Sequence, residues 1–310
     1  MICLEFWLLG SFLDFDESVW ETCNKLDIYQ LIWDLWPKSI SETESSEINI
    51  SILRFLLSFS KASFASKKSL VFTGSLTKRA SHKKGDWPKD KSTLLHRLMI
   101  TSLNKSLGKV SMLALRVIQN ECTSPTCLKL ISQTNFLSEC ILQIDCFLDE
   151  HGNFNLIKYE EIERVVELGH VFVNVAIESN RTNSNLIKIC NEALKSLTQI
   201  SLQIISLKNK AAVAVAIVTL SLAQNLALLL SSPAEEILSL NFTTLSISVI
   251  DSVMKDPNTL LLSRFVDCLK VIVMSTQKNK HKNRLTGPWK KDGEIHFELL
   301  KIVDNLHNDG

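Results

Sequence analysis

Glycine and proline are scarce in this chain, nine and six of 310 residues. Tight β-hairpins and phosphate-cradling loops both consume glycine, so the shortage points to helices joined by short polar turns. The spacings that announce chemistry are missing as well: no GxSxG, HExxH, P-loop or GxGxxG occurs. The seven histidines (82, 96, 151, 170, 281, 296 and 307) are scattered, and none stands in a metal-ligand spacing. His170, within GHVFVNV, reads as a core or edge histidine rather than a catalyst. With no nucleophile–base pair to start from, neither an enzyme activity nor a cofactor is expected.

Charge is absent from Ala211 to Ser231, AAVAVAIVTLSLAQNLALLLS, over twenty-one residues. At about 1.5 Å rise per residue, such a helix either crosses a bilayer or forms the buried centre of an all-α stack. Gln224 and Asn225 in its interior, and amphipathic segments on both sides, favour the buried helix. Its alanines (211, 212, 214, 216, 223 and 227) permit close helix–helix approach in either setting. The preceding segment, 183–207, places Leu186, Cys190, Ala193, Leu197, Ile200, Ile204 and Leu207 alternately four and three apart. That is one sustained apolar face of a long helix.

The length suits two ordinary domains or one elongated repeat array, and 45% hydrophobic residues supply a sizeable core. The net charge of +1 conceals segregation. Residues 1–50 carry ten acids against Lys25 and Lys38, whereas residues 51–110 carry thirteen Lys and Arg against Asp86 and Asp90. Such segregation holds segments together or recruits a charged partner without naming one. The first residues, MICLEFWLLGSFLDFD, lack a positive n-region and run straight into acids, so no secretory signal is expected. Eight cysteines lying mostly in helical patterns are then expected to be reduced thiols of a cytoplasmic protein.

Along the chain, residues 1–60 read as an acidic N-terminal helical segment, with a helix over 17–36 ended by Trp36-Pro37 and a second apolar run over 50–60. Residues 61–92 are rich in Ser, Lys and Thr without a sustained period and read as a basic flexible linker. From 93 to 275 the helical signal is dense, and from 276 to 310 a basic linker leads into a terminal helix. Ser124-Pro125, Ser232-Pro233 and Asp256-Pro257 each put a capping side chain before a proline at the first helical position. Successive helices with short connections predict an all-α fold, a right-handed α-solenoid of degenerate armadillo/HEAT-like repeats over 93–275, with a compact helical bundle as the alternative.

Two clusters invite a sharper reading. Zinc needs thiolates converging at about 2.3 Å from the metal, most often from knuckles two to four residues apart. Cys122, Cys127, Cys140 and Cys146 are spaced more widely, and the second pair sits inside a helical run, so core packing is expected and no metal. Lys67, Lys68, Lys78, Arg79, Lys83 and Lys84, with Trp87 beside them, are candidate contacts for an acidic partner. Phosphates would also suit them, but no recognised nucleic-acid motif accompanies the charge, and specific nucleic-acid binding is not expected.

Residues 115–147, LRVIQNECTSPTCLKLISQTNFLSECILQIDCF, resemble an armadillo-like repeat of the C-terminal region of the rotatin family. The resemblance rests on an apolar helix ending in Asn120 and Cys122, the Ser124-Pro125 break, a short helix with Leu128 and Ile131, and a further apolar helix. ALKSLTQISLQIISLKNKAAVAV is similar to that family's penultimate repeat helix, and DPNTLLLSRFVDCLKVIV to its last. The likeness covers about half the chain and carries over no functional residue. It implies a non-enzymatic scaffold that binds centrosomal or centriolar proteins in the cytoplasm and cytoskeleton, at the centriole or the cilium basal body. A membrane-anchored helical protein spanning at 211–231 and a basic nucleic-acid-binding adaptor are the alternatives.

Overall fold

The computed structural model describes residues 46–65, 94–155, 161–179, 183–207, 209–229 and 259–280, with isolated positions at 10, 18–19, 22–23, 32, 245, 248–250 and 252. Of the described residues 87% are helical and none forms a strand, which establishes an all-α fold. The helices are α1 (Ser46–Ala65), α2 (Leu94–Leu103), α3 (Lys109–Glu121), α4 (Pro125–Ser132), α5 (Phe136–Asp145), α6 (Ile162–Glu178), α7 (Ser184–Ile204), α8 (Lys210–Leu229) and α9 (Thr259–Lys280). By internal packing the chain divides into two compact units, Met1–Leu197 and Thr198–Gly310.

In the first unit α3 is the pivot, with α1, α2 and α6 packed against it. Its pattern explains this position: Val110, Leu113, Ala114, Leu115, Val117 and Ile118 leave only a narrow polar edge. From α1, Ile52, Phe55, Leu56 and Phe59 recur at helical spacing and are fully buried, the two phenylalanine rings stacking at 5.7 Å. Each such ring contributes about 2 kcal/mol by leaving water. Between α2 and α3 the chain turns through a short 3-10 helix, Lys105–Leu107, started by Asn104 Oδ1, which accepts from the Ser106 N–H at 3.1 Å. Gly108 ends this turn at φ +48°, a conformation that a side chain disfavours even though the space around it is open.

The helical run expected to hold Cys146 stops at Asp145, the last residue of α5. Asp149 takes over. Its Oδ1 accepts from the N–H groups of His151 and Asn153, and its backbone N–H donates to Asn153 O at 2.7 Å. Leu148 and Phe154 then face each other in an isolated β-bridge, and Phe147 stacks on Phe154. These local hydrogen bonds outcompete another helical turn and hold the Asp149 carboxyl below its ordinary range, chiefly through the Asn153 N–H.

Helix α7 buries Leu186, Cys190, Ala193, Leu197, Ile200 and Ile204, the face predicted from its spacing. Leu207 departs from it and is 44% exposed. The last turn, Ile205–Leu207, tightens to a 3-10 helix, whose larger twist per residue rotates Ile205 inward and Leu207 out. At the start of α4 the backbone of Ser124 is extended and Pro125 follows, as predicted, but the Ser124 hydroxyl makes no cap hydrogen bond. The proline, which needs no partner, and the Leu128 N–H to Ser124 O bond at 2.8 Å carry this helix start. Ser232-Pro233, Asp256-Pro257 and the helix expected over 17–36 lie almost wholly outside the described residues.

In the second unit α8 packs on α9 and on the 3-10 turn Ile205–Leu207. It is the one described helix long and apolar enough to cross a membrane, yet more than half of its most apolar stretch is buried in protein. Ala212, Ala216, Ala223 and Ala227 are buried, and small side chains at this spacing let backbones approach. The less buried side carries Ser221, Gln224 and Asn225 together with Ala214 and Ile217. Ser221 and Asn225 bond back to the carbonyls of Ile217 and Ser221, each at 2.8 Å. Ala216→Leu forces three heavy atoms into this packing and is expected to destabilise the chain by about 1–3 kcal/mol, measured by urea denaturation.

Candidate functional site

Among the described residues of the first unit, three groups of polar side chains lie around α3. In the first, Arg164 of α6 is 6% exposed and has no carboxylate in its hydrogen-bond shell. Its Nε and Nη2 donate to Gln143 Oε1 of α5 at 2.9 and 2.6 Å, and Nη1 donates to Ser111 Oγ of α3 at 2.8 Å. Nη2 also donates to Ser102 O at the end of α2. Gln143 in turn donates to Leu103 O, and Ser111 to Ser102 O. The guanidinium therefore closes the C-terminal end of α2, where orphan carbonyls attract positive charge. Burial lowers its pKa, and for arginine this still leaves it charged at every accessible pH.

The second group joins α3 to α6 at the surface. Arg116 bonds Glu167 through Nε at 2.6 Å and Glu163 through Nη2 at 2.9 Å. Gln119 donates to Glu167 Oε2, and Asn174 donates to Gln119 O. Glu163 is largely exposed, so its pairing with Arg116 contributes little, whereas the sheltered Glu167 carries most of the tie. His170 stands next to this group, its pKa lowered by burial and raised in part by Glu167.

The third group is a set of buried thiols. Cys122, Cys127, Cys140 and Cys190 are all buried, and the other three lie close enough to Cys122 to help raise its pKa. Cys146, expected in the same set, is exposed, because the chain has already left α5. Cys190 of α7 takes its place, a residue that spacing in the sequence gave no reason to include. Burial pushes these thiols upward, that of Cys190 to about 12, so they stay protonated and behave as small hydrophobes. Among the described residues no group of three or more His, Cys, Asp or Glu side chains is arranged to hold a metal ion. The seven described cysteines are free of disulfides.

Arg164 and Glu121 escaped notice in the sequence, although their register marks them. Arg164 precedes the buried Leu168, Val171 and Val175 by four, seven and eleven, and Glu121 follows Ala114, Val117 and Ile118 by seven, four and three. A charge on an apolar face was the available signal. The candidate partner contacts Lys67, Lys68, Lys78, Arg79, Lys83 and Lys84 all lie outside the described residues.

Replacing the guanidinium tests the first group. Arg164→Met keeps the aliphatic stem but strips donors from Ser102 O and Gln143, and is expected to cost about 3 kcal/mol in urea denaturation. Arg164→Lys should recover only part of this, since one ammonium does not span the same fork.

What these groups do is brace helices. Set against protein-family models, curated proteins and solved structures, the chain finds no match, so its function has to be read from the fold and its side-chain geometry.

Proposed function

We propose that this chain is a non-enzymatic protein–protein interaction scaffold whose helices stack as degenerate armadillo/HEAT-like repeats. The observation that carries the reading is α3, a helix covered by its neighbours α1, α2 and α6 and tied to them by side-chain bonds rather than by a reactive centre. The segment resembling a rotatin-type repeat, 115–147, folds as three helices in series, α3, α4 and α5, with α4 packed on both α5 and α6. A three-helix unit broken at Ser124-Pro125 is what the resemblance implies. On this reading the chain binds centrosomal or centriolar proteins and serves centriole or basal-body assembly, a partner helix or extended peptide lying along the helical surface.

A second reading, membrane anchoring, is favoured by the length and composition of α8 alone. One experiment separates them. Tagged full-length chain in dividing cells is expected at centriolar foci, to label centrosomal proteins by proximity, and to be released from the membrane fraction by carbonate. Carbonate-resistant, reticular staining would instead make α8 a span, and proximity labelling that returns no centrosomal protein would remove the scaffold's proposed location.

A further inference from the structure

Glu121 sits where an ionised carboxylate is most costly. It is the last residue of α3, 4% exposed, at the end of a helix whose orphan carbonyls repel negative charge. Its Oε2 accepts the Cys127 thiol of α4 at 3.3 Å. Cys122 follows it in the chain, and Cys140 of α5 and Cys190 of α7 complete the thiol group around Cys122. All of these are neutral. Burial and the Cys127 hydrogen bond set the state of the Glu121 carboxyl; on α6, Glu167 is committed to Arg116 and Gln119, and His170 lies beside Glu167. Burial accordingly raises the Glu121 carboxyl to about 8.

We propose that the proton on Glu121 latches the corner between α3 and α4, so that acid closes this corner and loss of the proton opens it and brings the Cys122 and Cys127 thiols to solvent. The step is a single deprotonation of the carboxyl by water or buffer, and no bond between heavy atoms changes. An opened, solvated Glu121 regains the ordinary carboxyl value, 4.5. Between 4.5 and about 8 the closed corner holds a proton that the open one does not, so closure weakens steadily as pH rises through that window. Below the window closure is complete, and above it the loss levels off. The open population then grows roughly tenfold per pH unit inside the window, the signature of one linked proton.

Alkylation of the full chain by uncharged iodoacetamide, followed by peptide mass spectrometry from pH 5.5 to 9, reads this directly. Labelling of Cys122 and Cys127 is divided by that of the exposed Cys146, which removes the common rise in thiolate. The ratio is expected to climb about tenfold per unit to pH 8 and then flatten. In Glu121→Gln, which keeps an acceptor for the Cys127 thiol but has no proton to lose, it should stay level. A level ratio in the unaltered chain, or the same climb in E121Q, would overturn the proposal. Should E121Q not fold, amide exchange of the unaltered chain decides. Corrected for intrinsic base catalysis, exchange at residues 120–128 must quicken over the same window while α8 does not, and uniform behaviour of the two sinks the latch.

Discussion

A buried cation answered by neutral acceptors is the constraint on which the first unit depends. Arg164 draws the end of α2, the start of α3 and the last turn of α5 onto α6 through one planar group. A guanidinium out of water without hydrogen bonds is untenable, so these elements are not free to slide past one another. Apolar packing alone tolerates several registers of α2 on α3, whereas five fixed donors tolerate one. The leucines and phenylalanines supply most of the stabilisation, and the arginine selects the arrangement in which they are used.

The all-α class was legible because helices write their own period. The buried face of α7 matches its three-and-four spacing from Leu186 to Ile204, and only the tightened last turn defeats it, since nothing in the residues around Leu207 announces a change from 3.6 to 3 residues per turn. The placing of Cys146 in a helix failed for a related reason. Asp149 and Asn153 can close a turn on themselves, and that local bond wins over a helical continuation that apolar content alone would favour.

The side-chain groups were legible only in part. Spacing put four cysteines between 122 and 146 into one set, but tertiary packing exchanged Cys146 for Cys190, which is distant in sequence. Polar residues on apolar faces, Arg164 and Glu121, were visible as anomalies of register, while their partners Gln143, Ser111 and Cys127 were not, because hydrogen bonds between helices leave no periodic trace. Helix α8 shows the opposite limit. Its composition fits a span and a core equally, and the difference lies in what covers it, chiefly α9.

The turn at Asp149 also bears on the order in which the chain folds. Its hydrogen bonds close within four residues, and such short loops form in well under a millisecond. The bonds of Arg164 reach back 21, 53 and 62 residues and must wait for much larger loops to close. The turn at Asp149 therefore closes before the guanidinium finds its acceptors. A local bond that closes first leaves fewer conformations to search when a buried charge must be sealed.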